Sequence, residues 1–259
     1  MLINIEGKVA VITGAAKGIG RIIAIQMAKE GIRLALWDKN ESGLISLRDF
    51  IEDNGGEAHY SVCDVSDEAQ VENAVKKVMD SYSTIDILVA NAGIANFSKI
   101  IEMDVKSWDD VFAVNTKGVF LCAKKIAPIM INNGKGRIII ASSFAAIIPS
   151  VNSAAYAASK SAVVSITRVL SAELGPWDIT VNAYAPGMIP TEMSNIDNLS
   201  EERKEAMLNT LSIREWGKAE DIASLVIFLA SDQARYITGT LIDSSGGKFS
   251  VQFQSLARE

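Results

Sequence analysis

Tyr156 and Lys160 occupy positions i and i+4 of the run Tyr156-Ala-Ala-Ser159-Lys160. On a helix this spacing brings both side chains to one face, with the ammonium beside the phenol. A neighbouring cation favours phenolate and draws a tyrosine down from its usual pKa of about 10. A tyrosine tuned in this way is a general acid/base that needs no histidine. The chain has one histidine, His59, in a strand-like segment remote from Tyr156. A Ser-His-Asp triad has no other base to use, and a histidine-built zinc site is excluded. Taken alone, a Tyr–Lys pair is more often packing with a solvated tip than chemistry, so its weight rests on what accompanies it.

A glycine loop accompanies it. Thr13-Gly14-Ala-Ala-Lys17-Gly18-Ile19-Gly20 follows a β-branched run and opens a helical pattern. Glycines there let the backbone turn sharply and approach a pyrophosphate, whose charge sits at the helix N-terminus. The spacing is G-x-x-x-G-x-G rather than G-x-G-x-x-G, and its position between a first strand and a helix gives it meaning. Asp38 closes the second strand-like run, 18 residues beyond Gly20. A carboxylate there accepts hydrogen bonds from both adenosine ribose hydroxyls and repels a 2′-phosphate. Unaccompanied, Asp38 reads as a solvated residue starting a turn. Lys17 and Lys39 pull the other way, because a nearby cation can receive that phosphate. The reading is NAD, with NADP second.

The elements that must position these groups alternate along the chain. Strand patterns cover 8–13, 32–37, 57–63, 85–90, 136–142, 178–184 and 238–243, several of them almost wholly apolar. That is how strands covered on both faces of a parallel sheet read. Helical patterns cover 18–30, 41–54, 67–82, 105–132, 154–174 and 219–230. In 67–82, Ala69, Val71, Ala74, Val75, Val78 and Met79 form one stripe. The alternation predicts an α/β fold, a single Rossmann-like domain over 1–259 with seven parallel strands and helices on both faces. Residues 186–217 hold no strand pattern and read as a substrate loop or lid.

Composition sets the outer limits. The 259 residues suffice for a full-sized core, and a net charge of −6 argues against nucleic acid as the main partner. Cys63 and Cys122 lie 59 residues apart with no CxxC, which suits buried thiols in a reducing cytoplasm. Residues 1–18 do not read as a signal peptide, and nowhere do 18 apolar residues run together, so no membrane span is expected.

In order and spacing, the motifs resemble the short-chain dehydrogenase/reductase family. They are TGAAKGIG at 13–20, CDV at 63–65, ANAG at 90–93, Asn115 within VFAVNTKGVF, ASS at 141–143, YAASK at 156–160, APGMIPTEM at 185–193 and SSGG at 244–247. The resemblance spans essentially the whole chain. It implies that Tyr156 gives a proton to a ketone oxygen, or takes one from an alcohol, as hydride passes from or to a nicotinamide. Lys160 would lower the Tyr156 pKa and hold the nicotinamide ribose. Ser143, 13 residues before Tyr156, would hydrogen-bond the carbonyl oxygen, with Ser142 as its competitor. Asn115 would kink its helix and hold a water linking Lys160 to solvent.

For the cofactor, the resemblance places Gly14, Lys17, Gly18, Ile19 and Gly20 around the pyrophosphate. Asp38 would lie at the ribose, Asp64 and Val65 at the adenine, and Asn91 and Gly93 beside the adenosine ribose. Pro186 and Gly187 belong to the same turn as Ile189 and Thr191, which would hold the carboxamide. The substrate would meet Ser143, Ile94, Ala145, Ile148, Met188 and Met193, with Met207 and Trp216 near the 186–217 loop. Ala90 in place of the usual first Asn of NNAG, and SSGG in place of DGG, depart from the family pattern. Both positions are structural in character.

The activity so implied is interconversion of a secondary alcohol (a small alcohol, polyol or sugar-like molecule) and its ketone with NAD and no metal. An alternative is a reductase of 3-oxoacyl thioesters on acyl carrier protein. Asp38 and the negative charge count against it, since such reductases usually prefer NADPH and the carrier is acidic. A non-catalytic dinucleotide-binding regulator is the reading from another class. The resemblance also implies a homotetramer, or at least a dimer. It would form through helices 105–132 and 154–174, with Ala162, Val163, Ile166, Val169 and Leu170 as an apolar face and the tail from Phe249 to Glu259 reaching a neighbour.

Overall fold

A computed structural model describes residues 5–194 and 196–251. Seven strands form one sheet: β1 (Val9–Thr13), β2 (Arg33–Asp38), β3 (Ala58–Val62), β4 (Ile87–Ala90), β5 (Gly136–Ala141), β6 (Ile179–Pro186) and β7 (Leu241–Ser244). Their order is β3-β2-β1-β4-β5-β6-β7, and every neighbouring pair is parallel. The chain runs outward from β1 to β3, then crosses back to β4 on the other side of β1. The order reverses there, and a crevice opens outside the carboxyl ends of β1 and β4.

Among the described residues there are eight α-helices: α1 (Gly18–Lys29), α2 (Glu41–Asp53), α3 (Glu68–Tyr82), α4 (Val105–Phe112), α5 (Gly118–Asn133), α6 (Ala154–Leu174), α7 (Glu201–Leu208) and α8 (Ala219–Ala230). All five residues of β1 are buried, and their alternation feeds two cores. Ala10 and Ile12 pack with α1, α2 and α8, through Met27, Leu47 and Val226 among others. Val9 and Val11 pack with α3, α5 and α6, through Val75, Ile126 and Val163. The predicted α3 stripe holds for Val71, Ala74, Val75 and Val78, with Met79 partly buried. Ala69 is exposed in the first turn, where the Asp67 side chain caps the N–H groups of Ala69 and Gln70.

Two expectations change. The predicted helix 105–132 is two helices joined by a π-turn over Ala113–Lys117, with Asn115 at its centre. The stretch 186–217 is not simply a loop, because it contains α7 and is pinned by buried Ile196 and Leu211. On the predicted α6 face, Val163 is buried and Ile166 and Leu170 pack against the core, whereas Val169 is 57% exposed. Most of that face is therefore consumed within the chain. Residues 252–259 of the tail lie outside the described residues.

The amino ends of the strands hold a charge cluster. Arg137 in β5 is 2% exposed and donates from Nη1 to the carbonyls of Gly136 (2.8 Å) and Asp178 (2.9 Å). Its Nη2 reaches Asp232 at 3.3 Å, and Lys135 (2.8 Å) and Lys8 (3.7 Å) meet the same carboxylate oxygen. Among the described residues, no helix is long and apolar enough to cross a membrane. Cys63 and Cys122 are free and buried, and burial pushes the Cys63 thiol up to about 12 and Cys122 higher still. His59 is exposed beside the Tyr82 ring, on the far side of the fold from Tyr156.

Candidate active site

A cavity of about 720 Å³ opens at the carboxyl ends of the strands. Its floor begins where β1 runs out. Thr13 Oγ1 accepts from the backbone N–H groups of Asn91 (3.0 Å) and Ala92 (2.9 Å), tying the end of β1 to the end of β4. Asn91 Nδ2 donates to the carbonyls of Thr13 and Gly14, and its Oδ1 accepts from the Tyr184 hydroxyl at 3.0 Å. Gly14 takes φ +66°, and a Cβ there would lie 2.8 Å from Ala92 Cα. A side chain there would collide with the backbone just beyond β4 and strain the left-handed turn. The first turn of α1 has no side-chain cap, and Gly18 and Ile19 face the cavity. An uncapped helix start leaves N–H groups for an anion.

Asp38 borders the cavity from the end of β2. Its Oδ2 accepts from Ala16 N (3.1 Å) and its Oδ1 from Asn40 N (3.0 Å), which fixes the carboxylate between the glycine loop and α2. Neither lysine flagged by the sequence is idle. Lys17 pairs with Glu192 at 2.5 Å and Lys39 with Asp64 at 2.8 Å. Burial alone would push the Asp64 carboxyl up, but hydrogen bonds from Lys39 and Ser66 outweigh it and hold it at about 2.

Tyr156 and Lys160 project from the first turns of α6, and Ser143 follows β5. All three line the cavity. Lys160 is 3% exposed and donates to Ala141 O at 2.7 Å, with its ammonium 5.9 Å from the Tyr156 ring centre. Burial draws Lys160 down to about 8. Burial also comes first for Tyr156 and raises its phenol, while the Ser143 hydroxyl pulls it back. Burial and Ser143 thus set the phenol in this arrangement, where the sequence reading assigns that role to Lys160. Both Ser142 and Ser143 border the cavity, but the Ser142 hydroxyl is buried and donates to Lys160 O at 3.0 Å, which ties β5 to α6.

Asn115 is fully buried in the π-turn. Its Oδ1 accepts from Ile94 N (2.8 Å), and its Nδ2 donates to Ile94 O (2.9 Å) and Ser159 Oγ (3.0 Å). The wider turn re-aims one side chain out of the helical repeat, here toward α6. A Cβ on Gly93 would lie 3.2 Å from Lys160 Nζ and 3.3 Å from Asn115 Oδ1, so glycine lets these two groups approach.

Comparison with known proteins agrees with this geometry. A family model described as enoyl-(acyl carrier protein) reductase matches residues 14–248. A 3-oxoacyl-[acyl-carrier-protein] reductase FabG of Thermotoga maritima is 38% identical over 244 residues, covering 94% of this chain and 98% of the relative. The chain belongs to the short-chain dehydrogenase/reductase family. Levodione reductase superposes with a TM-score of 0.91 at 33% identity, over 95% of this chain and 99% of that one. A gluconate 5-dehydrogenase from Burkholderia cenocepacia, solved with NADP and tartrate, gives 0.91 at 31% identity, over 95% and 97%.

Most of the residues expected from the dehydrogenase/reductase pattern meet in the one cavity. Gly14, Lys17, Gly18, Ile19, Asp38, Asp64, Val65, Asn91, Gly93, Pro186, Gly187, Ile189 and Thr191 line it, as do Ile94 and Met193. Several expected residues do not, and Asn115 is one of them, being fully buried. Gly20 packs instead of lining, since a Cβ there would lie 2.2 Å from Gly14 O and 2.5 Å from Asn91 Nδ2. Met188 turns aside in the bend that its carbonyl closes with Gly217 N at 3.0 Å. Ala145 lies in the short 3₁₀ turn after Ser143, and its N–H donates to Ser143 Oγ. Ile148, Met207 and Trp216 also stand off the wall.

Sequence reasoning missed Phe97, Tyr184 and Ser159. Phe97 is 58% exposed, lines the cavity and lies 6.0 Å from the Tyr156 ring. Its only signal is an aromatic residue in an aperiodic segment after β4. Tyr184 reads as an ordinary buried strand residue, yet its hydroxyl orients Asn91. Ser159 lies inside the YAASK motif and links Asn115 to the Tyr156 carbonyl, to which it donates at 2.7 Å.

Proposed function

We propose that this protein interconverts a ketone and its secondary alcohol with a nicotinamide cofactor, within one nucleotide-binding domain. The observation that carries the proposal is the convergence of Tyr156, Ser143 and Lys160 on the cavity that also holds the uncapped start of α1. The glycine cradle at Gly14 and the anion-ready helix end fit a dinucleotide pyrophosphate. When bound, the nicotinamide supplies or accepts the hydride. Tyr156 exchanges a proton with the substrate oxygen, and Ser143 donates a hydrogen bond to that oxygen. Lys160, Asn115 and Ser159 hold the phenol-bearing helix in register with β5 and the turn after β4.

Within this chemistry, reduction of a 3-oxoacyl thioester has the most support. It rests on the similarity to FabG reductases over nearly the full length and on apolar Ile94, Phe97 and Met193 around the mouth, which suit an acyl group. Oxidation of a small alcohol or polyol is the second reading, favoured by the likeness to the gluconate 5-dehydrogenase. For the cofactor we propose NAD(H), because Asp38 is fixed at the ribose end of the cavity and both neighbouring lysines are paired. Tyr156 and Ser143 beside the cavity argue against a regulator that turns nothing over.

Absorbance at the nicotinamide band, run with 3-oxoacyl thioesters, cyclic ketones and polyols against NADH, NADPH and their oxidised forms, tests all three points. We expect thioester reduction to give the highest kcat/KM and NADH to outperform NADPH. Faster turnover with NADPH would overturn the reading of Asp38, and polyol oxidation alone would promote the second reading. We further propose a homotetramer or dimer through α5 and α6, which leave Phe120 (51%) and Val169 (57%) exposed. Light scattering on the eluting protein is expected to give a multiple of 27.8 kDa, and a clean monomer would refute it.

A further inference from the structure

The Lys39–Asp64 pair is unequal. The Lys39 side chain is 71% exposed, and that of Asp64 is 23% exposed. Asp64 is also anchored: its Oδ1 accepts from Ser66 N (3.0 Å) and Ser66 Oγ (2.6 Å), and its own N–H donates to Gln70 Oε1 at 2.9 Å. The carboxylate is therefore fixed and the lysine is drawn to it. Asp110 from α4 also favours the charged form of the same ammonium and is itself paired with Lys106. All four residues line the cavity, and Lys39 follows directly on Asp38. Lys39 is thus the cation best placed by sequence to receive a phosphate at the ribose end, and it is already engaged.

We propose that Asp64 is a second determinant of cofactor choice, because by holding the Lys39 ammonium it withholds that cation from an adenosine 2′-phosphate. The inference rests on the NAD reading above and adds a separate cause to it. Asp38 acts by repulsion from a fixed position. Asp64 acts by competition, since a phosphate must win Lys39 from a carboxylate that stays ionised. The pair is exposed on one side, so its release is worth about five-fold in relative affinity.

The test measures dissociation constants for NADH and NADPH by nicotinamide fluorescence on the full-length protein, as wild type, Asp64→Asn, Lys39→Ala and the double variant. Asp64→Asn is expected to weaken both cofactors through any shared adenine contact. The ratio of NADPH to NADH affinity should nevertheless move about five-fold toward NADPH, and less in high salt. Lys39→Ala alone should leave the ratio within about two-fold of wild type, because a withheld lysine contributes little. The double variant should return to the ratio of Lys39→Ala. An unmoved ratio in Asp64→Asn, or a shift that survives Lys39→Ala, would overturn the proposal while leaving the parent reading intact. Wild-type protein that binds neither nucleotide would overturn both.

Discussion

Replacing Tyr156 with Phe is expected to lower kcat for ketone reduction about 10³-fold, the middle of the range for losing a positioned general acid. The substitution removes one oxygen and keeps the ring that meets Phe97, so packing is preserved. Ser143 remains to polarise the carbonyl, which leaves measurable residual turnover. Because burial raises the phenol above its ordinary value, wild-type Tyr156 holds its proton at neutral pH, the form that reduction requires. Lys160, drawn down to about 8, loses its ammonium first as the solution turns alkaline. The reduction rate should therefore be level near pH 7 and fall above about pH 8. The residual rate of Tyr156→Phe should keep that fall, because it belongs to Lys160. NADH affinity, read by fluorescence, should be unchanged. A variant with wild-type kcat would sink the assignment of Tyr156 as the proton donor.

Asp232→Asn is expected to cost about 1 kcal/mol of stability, since Arg137 is buried but the Asp232 side chain is 47% exposed and screened by water. Arg137 would remain 2% exposed, with Lys135 and Lys8 close by and no carboxylate between them. Two backbone carbonyls still accept from Arg137, which keeps the cost from being larger. The hydrogen bond from Lys135 comes first among the causes that hold the Asp232 carboxyl below its usual range. A carboxylate with a depressed folded pKa contributes stability that is present above its unfolded value and lost as pH falls through the folded one. The gap in Tm between wild type and Asp232→Asn should accordingly be widest at neutral pH and narrow below about pH 4. Thermal melts across pH 3–7 check it, and equal Tm values at pH 7 would show that the cluster is not a stabilising one. The cluster lies at the opposite end of the strands from the cavity, so NADH affinity should survive.

Much of this architecture is written in short-range pattern. Several of the strand runs are almost wholly apolar because both faces of the central sheet are covered, and the seven runs fall within a few residues of β1–β7. The glycine loop was equally legible, since Gly14 and Gly20 lie where a Cβ meets backbone at 2.8 Å and 2.2 Å. What escaped depends on distant partners. The polar run Glu201–Leu208 has no apolar stripe to announce α7, and its signs were a Ser200 cap and an acidic first turn. Phe97 matters through a ring 59 positions further along, and Arg137 reads as a charge in an apolar run until Asp232 is placed beside it. Met188 lies in a family motif and Ala145 two residues beyond one, but the direction of a side chain in a bend is set by hydrogen bonds that spacing does not encode. Lys17 and Lys39 were ambiguous for the same reason, because only tertiary structure shows which carboxylate each has found.

The Lys17–Glu192 contact joins the phosphate-facing loop to the segment beyond β6, 175 positions away in sequence. Both side chains lie mostly in water, at 65% and 76% exposure. A fastening of that kind is inexpensive to undo, being screened by dissolved ions and worth little at an exposed site. The segment that closes one side of the crevice is therefore moored by a tether that yields readily, while its roots at Ile196 and Leu211 stay sunk in the body. A nucleotide passing on this side of the crevice would need only that exposed contact to part, with the sheet and its two cores left in place.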